Sequence, residues 1–214
     1  MRDIFSNDSK LMRALSKLFD IGYLSIVFIL FCIPVVTMGA SLTALYYATV
    51  KVIRRDRGYV FQEFWHAFRT NFKQATMLWL IELVVLILLA YNLTVVTGYV
   101  SGIYLAMAIL LVAVYCYAFP ILSRFMMRNT DIIKMSLILV IKHIYFTIPF
   151  VVIVVLSAVA LILLVPYMPI VPILLPGLAA LLYSFMMEII MKKYMPQANS
   201  DGADNSAIDD WYNE

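Results

Sequence analysis

The chain has 214 residues, of which 64% are hydrophobic and 14% are charged, and its formal net charge is +3. Globular proteins contain roughly 45–50% apolar and about 25% charged residues, so this chain cannot cover a water-facing surface with polar groups. The composition excludes a soluble enzyme, a disordered chain and a disulfide-stabilised scaffold. It predicts an integral membrane protein with several spanning segments.

The number of spans follows from three runs that contain no Asp, Glu, Lys or Arg, at residues 21–50, 83–123 and 144–187. A membrane helix needs about 20 apolar residues. The second and third runs therefore each predict two helices with a tight turn between them. Gly, Ser and Pro residues place these turns at Thr97–Gly102 and Pro166–Pro169.

The first run is long for one helix and short for two. Pro34 and Gly39 interrupt it, because proline removes a backbone donor and glycine loosens the helix. Positive residues stay on the cytoplasmic side of a membrane. All Lys and Arg residues lie in four segments: 2–17, 51–73, 124–142 and 192–193. If the first two segments are both cytoplasmic, the run crosses twice and the chain has six helices; the alternative is five helices with the N-terminal segment outside.

We predict an all-α, polytopic transmembrane bundle formed by a single domain, residues 17–193. Its helices are expected at residues 17–35, 39–55, 75–97, 101–123, 140–164 and 168–191. A cytoplasmic segment, residues 1–16, precedes the domain. An acidic tail, residues 194–214, follows it, and its composition is typical of a mobile terminus. We expect a multi-pass membrane protein with a cytoplasmic C-terminus.

Residues 60–73 predict a separate amphipathic helix at the membrane interface. Five aromatic residues recur at helical spacing and share one face: Phe61, Phe64, Trp65, Phe68 and Phe72. The other face is polar, with Gln62, Glu63, His66, Arg69, Thr70 and Lys73. This pattern is typical of a helix that lies in the head-group region. Two interpretations remain open, a docking surface for a partner's cytoplasmic domain and a structural connector.

A basic cluster precedes this helix and is predicted to contact anionic lipid head groups: Lys51, Arg54, Arg55 and Arg57. Small residues at four-residue spacing, Ala40, Ala44 and Ala48, predict a close helix–helix contact.

Ionisable residues inside spans are the first place to look for function in a membrane protein. Glu82 is the deepest acidic residue in the predicted spans. Three hypotheses remain for it: an ion pair with Lys142 or His143, separate snorkelling to the interface, and proton transport. Glu188 is expected to form an interfacial pair with Lys192, four residues later.

No catalytic motif is present: the sequence lacks GxxxxGKS/T, GxGxxG, HExxH and GxSxG patterns. Cys32 and Cys116 lie in apolar runs and do not form a CxxC motif. We expect both to be small core residues. We therefore expect no enzymatic activity, no cofactor, no metal site and no nucleic-acid partner.

Two blocks resemble the YesL-like family of bacterial membrane proteins, which is defined by a domain of unknown function. They are residues 34–46 and 61–75. The resemblance implies a bacterial cell-membrane protein, often encoded near genes for carbohydrate uptake and glycan degradation, and it carries no known activity or cofactor. The motif positions are candidates for structure as much as for function: Pro34, Thr37, Gly39, Phe68, Asn71, Phe72 and Lys73.

Two classes of function follow from the sequence and the resemblance. The first is a non-enzymatic accessory protein that contacts the lipid bilayer and a sugar-transporter permease or another membrane protein. The second is a small-solute transporter that uses helices broken by proline, together with Glu82.

Overall fold

The computed structural model of the protein describes residues 10–96, 98–125, 127–164 and 170–194. Every regular element within these ranges is helical, which confirms the predicted all-α polytopic bundle. The elements are α1 (Lys10–Cys32), α2 (Met38–Ala48), α3 (Val60–Val95), α4 (Tyr99–Arg124), α5 (Asn129–Lys142), α6 (Ile144–Leu164) and α7 (Ile170–Tyr194).

Five segments of the described chain are long and apolar enough to cross a membrane, so the chain is a membrane protein. They lie in α1, Val35–Arg54, α3, α4 and α7. A sixth span exists if α5 and the first part of α6, which meet at an angle of 107°, are counted as one broken span. The six-helix expectation corresponds to this count.

The first apolar run folds as two helical segments joined by a 3₁₀ turn, Val35–Thr37. Beyond Ala48, α2 continues as a π-helical stretch, Thr49–Arg54. The turn leaves carbonyl groups without helical hydrogen bonds, and in an apolar environment these groups need another donor. Side chains donate hydrogen bonds to them. The Thr37 hydroxyl donates to the carbonyl oxygens of Phe31 at 2.6 Å and of Pro34 at 2.7 Å.

The segment formed by α2 and its π-helical stretch lies at the centre of the bundle and packs against α1, α3, α4 and α7. The three alanines of the predicted helix–helix contact, Ala40, Ala44 and Ala48, have no exposed surface. At Gly39 the backbones of α2 and α3 come so close that a Cβ atom would lie 2.5 Å from Trp79 Cβ and 2.6 Å from the Ala75 carbonyl oxygen. The small residues therefore serve an internal contact.

The predicted interfacial helix is not a separate element. Residues 60–73 form the first turns of α3, which runs without interruption for 36 residues. The sequence from Lys73 to Met77 contains neither Gly nor Pro, and a change from polar to apolar residues does not by itself break a helix. A boundary placed on that change in polarity was therefore wrong.

The predicted helix at residues 140–164 is also corrected, because the chain bends sharply at His143 between α5 and α6. No Gly or Pro marks the bend. The Thr147 hydroxyl lies 3.3 Å from the Val140 carbonyl oxygen and 3.1 Å from the His143 carbonyl oxygen. These two contacts satisfy carbonyl groups near the bend. The residue that makes them, Thr147, lies four positions after His143.

The turn before α4 contains Gly98 with a φ of 90°, a conformation that favours glycine. The other predicted turn, Pro166–Pro169, lies outside the described ranges, and so do residues 1–9 and 195–214 of the predicted terminal segments.

The contact at Gly39 predicts a large difference between two glycine substitutions. Gly39→Ala should lower the free energy of unfolding by about 1–3 kcal/mol, because the new methyl group overpacks the contact with α3. Gly102→Ala is the control, since a Cβ there meets nothing within 4 Å and alanine favours a helix by up to about 1 kcal/mol. Thermal melting in detergent measures both; equal effects would contradict the close contact.

Candidate functional site

A buried ion pair joins α4 to α7. The Arg124 guanidinium contacts Glu188 Oε1, and the two side chains are 1% and 5% exposed. The Tyr46 hydroxyl of α2 donates to the same carboxylate oxygen at 3.2 Å. Glu188 was expected at the interface beside Lys192, and this interpretation was wrong, because Glu188 lies inside the bundle where three helices meet.

A second polar contact lies at the π-helical stretch. Lys51 Nζ is 2.9 Å from Glu63 Oε2, and it donates to the Tyr47 hydroxyl at 3.2 Å. Arg54 Nη1 donates to the Ser184 carbonyl oxygen at 2.9 Å, and its guanidinium lies 4.5 Å from the centre of the Phe185 ring.

The predicted lipid-contacting cluster is therefore divided in the structure. Lys51 is buried and pairs with Glu63, Arg54 and Arg55 are half-buried, and Arg57 is exposed. A π-helix does not keep the angular spacing of an α-helix. The direction of these side chains could not be inferred from α-helical periodicity.

The aromatic face of α3 packs only in part inside the protein, because Phe61, Trp65 and Phe72 are exposed. Phe64 is fully buried and Phe68 nearly so, with ring centres 5.4 and 4.9 Å from that of Phe31 in α1. Trp65 lies 5.8 Å from the same ring but is 42% exposed, and the Phe72 ring is tilted by 56° against that of Phe68, with the ring centres 5.3 Å apart. The aromatic residues thus hold α3 against α1.

The remaining motif residues have local roles. The Asn71 amide donates to the Ala67 carbonyl oxygen one turn earlier at 3.0 Å, and Lys73 is exposed. The Trp79 indole donates to the Val35 carbonyl oxygen at 2.7 Å, which fixes the turn between Pro34 and Thr37 against the middle of α3. Sequence reasoning did not identify the role of Trp79, since it lies 44 residues from its partner.

Glu82 is buried in the apolar half of α3, with 5% of its surface exposed. Its Oε2 atom has no hydrogen-bond partner within the described chain. Tyr115 and Cys116 of α4 lie near enough to interact with it electrostatically. The hypothesis of an ion pair with Lys142 was wrong, because Lys142 is exposed at the end of α5 and does not pair with Glu82.

The described residues contain no group of three or more His, Cys, Asp or Glu side chains placed to hold a metal ion. Cys32 and Cys116 are both free and half-buried.

Residues 21–93 match the model of a family described as "Protein of unknown function, DUF624". The match covers 73 of the 214 residues, counted from 21 to 93. The matched segment contains the second half of α1, all of α2 and nearly all of α3, and it includes both blocks that resemble the YesL-like family. That resemblance is consistent with DUF624. Neither a curated protein nor a solved structure matches the chain.

Phe64 and Phe61 provide a matched test of the aromatic packing. Phe64→Ala should lower the free energy of unfolding by about 3–5 kcal/mol, because its ring is fully buried against α1. Phe61→Ala should have a much smaller effect, since Phe61 is 45% exposed. Both are measured by thermal melting in detergent. Equal losses would show that the inward packing does not hold the helix.

The pair of Arg124 and Glu188 should respond non-additively to mutation. Glu188→Gln and Arg124→Met should each destabilise the fold by about 3–5 kcal/mol, because each leaves a buried charge without its partner. The double variant should lose less than the sum, since it buries neither charge. Chemical or thermal unfolding of the three variants gives the coupling energy.

The exposed pair of Lys17 and Asp56 is the control for this cycle, with Nζ–Oδ1 at 3.0 Å and side chains 39% and 68% exposed. Asp56→Asn should change stability by less than about 1 kcal/mol. Asparagine also tolerates the positive φ of 55° at this position. An additive result for Arg124 and Glu188 would contradict their direct coupling.

Proposed function

We propose that the protein is a non-enzymatic accessory protein of the bacterial cell membrane that assists a sugar transporter or its assembly. The observation that carries the proposal is the exposed polar side of the first turns of α3. Arg69 and Lys73 are exposed there, and neither has an ion-pair partner among the described residues. A basic surface of this kind suits an acidic surface on a partner protein.

The charges inside the bundle support an accessory role over a solute pathway. Arg124 is paired with Glu188, and Lys51 is paired with Glu63. Removing one member of such a pair is strongly destabilising, so these groups serve the fold. They are committed to helix contacts and are not available to bind a solute.

The carbohydrate link and the cellular location come from the family resemblance. YesL-like proteins are bacterial membrane proteins often encoded near carbohydrate-uptake genes, and the family match of residues 21–93 is consistent with that resemblance. The distribution of Lys and Arg supports a cytoplasmic C-terminus. The basic side of α3 would then face the cytoplasm, where a permease or an ATPase subunit presents its cytoplasmic domain.

Co-purification tests the proposal. The tagged chain, expressed in its native host during growth on a carbohydrate, is purified in mild detergent and its partners are identified by mass spectrometry. We expect a transporter subunit to be recovered with the wild type. The charge-reversed variant Arg69→Glu/Lys73→Glu should lose it, because reversal opposes an acidic partner surface.

The matched control is Arg128→Glu/Lys134→Glu, which makes the same change of charge at exposed residues elsewhere in the chain. This variant should keep the partner. Retention by both variants, or loss from both, would contradict a specific basic surface on α3. Recovery of no transporter component with the wild type would contradict the accessory role.

A second candidate function, a small-solute transporter, is favoured by two observations. Glu82 is a buried acid in a predicted span and has an oxygen without a hydrogen-bond partner in the described chain. The bend between α5 and α6 adds a broken span of the kind found at transport sites. Solute flux into liposomes that contain the pure protein, abolished by Glu82→Gln, would support this function over the first.

A further inference from the structure

Glu82 is shielded by α4 on one side of α3, and the outward side of the same turns is apolar. Toward α4 the carboxyl group is buried, with 5% of the residue exposed. On the outward side of the same turns, Ile81 and Val84 are 44% and 55% exposed, as side chains that contact lipid are. Water therefore does not solvate this carboxyl group to the extent that it solvates a surface glutamate.

An ionised carboxylate needs a cation or several hydrogen-bond donors when it leaves water. From α4, the groups that interact with Glu82 are Tyr115 and Cys116, which are both uncharged near neutral pH. No charged group of the described residues of α1 or α2 interacts with it. Burial without a counter-charge favours the neutral acid.

We propose that Glu82 is a membrane-embedded proton-binding site that holds its carboxylic proton at neutral pH. The proton, and not a metal ion, is the ligand that fits, since the described chain provides one carboxyl group here and no cluster of further metal ligands. The site does not depend on the accessory function, because it concerns the α3–α4 contact and not the basic surface of α3.

Infrared difference spectroscopy tests the protonation state directly. Spectra of the purified full-length protein in liposomes at pH 7 are compared between the wild type and Glu82→Gln. We expect the substitution to remove the C=O stretching band of a carboxylic acid, which shifts in D₂O. Loss of a carboxylate band instead would overturn the proposal.

Labelling of the wild-type protein keeps the proposal testable if Glu82→Gln does not fold. The O–H group of a protonated acid adds across a C=N bond of dicyclohexylcarbodiimide to give an O-acylisourea. Its acyl group then moves from oxygen to nitrogen to form a stable N-acylurea, with no leaving group and no redox change. At pH 7 we expect Glu82 to be labelled at least ten-fold more than Glu63 and Glu188, which are paired with cations. Labelling should fall as the pH rises.

A water-soluble carbodiimide is the matched reagent, because it reaches exposed acids but not acids inside the bundle. It should label Asp131, which is exposed at the start of α5, and leave Glu82 unmodified. Equal labelling of Glu82 and Asp131 by the water-soluble reagent would overturn the proposal. Labelling of Glu82 by dicyclohexylcarbodiimide at or below the level of Glu63 would also overturn it.

Discussion

In a lipid bilayer, a backbone carbonyl or a charge has to find its partner within the protein, because no water is present to serve it. This constraint is most severe around α2, which lies at the centre of the bundle. The freed carbonyl groups of the turn that precedes α2 receive hydrogen bonds from Thr37, Ser41 and Trp79. Polar side chains in this region therefore donate hydrogen bonds to backbone carbonyl groups.

The same constraint explains why the buried charges connect different helices. Arg124, Glu188 and Tyr46 join α4, α7 and α2, and Lys51 joins the π-helical stretch to α3 through Glu63. Such pairs gain little over an apolar contact, but losing one partner is costly. They favour one arrangement of the helices over others in which the charges would be separated. Apolar packing alone does not provide this specificity.

The long helix α3 has two different halves. Its first turns pack aromatic side chains against Phe31 and leave Arg69 and Lys73 on the outside, whereas its second half contacts α4 and buries Glu82. One helix thus carries both the basic surface of the proposed accessory function and the proposed proton site. Because α3 is continuous, the basic surface and Glu82 lie on one uninterrupted helix.

The sequence by itself determined the class of protein, the apolar segments and the internal contact of the small residues on α2, because composition and local periodicity carry that information. It also pointed to Glu82 as the deepest acidic residue of the predicted spans, and left its burial open. Only the tertiary structure decided the partners: Glu188 with Arg124, Lys51 with Glu63, and Trp79 with the turn at Val35. These contacts join residues far apart in the chain, and the bend at His143 has no local breaker. Packing between helices sets such features, and no local pattern encodes it.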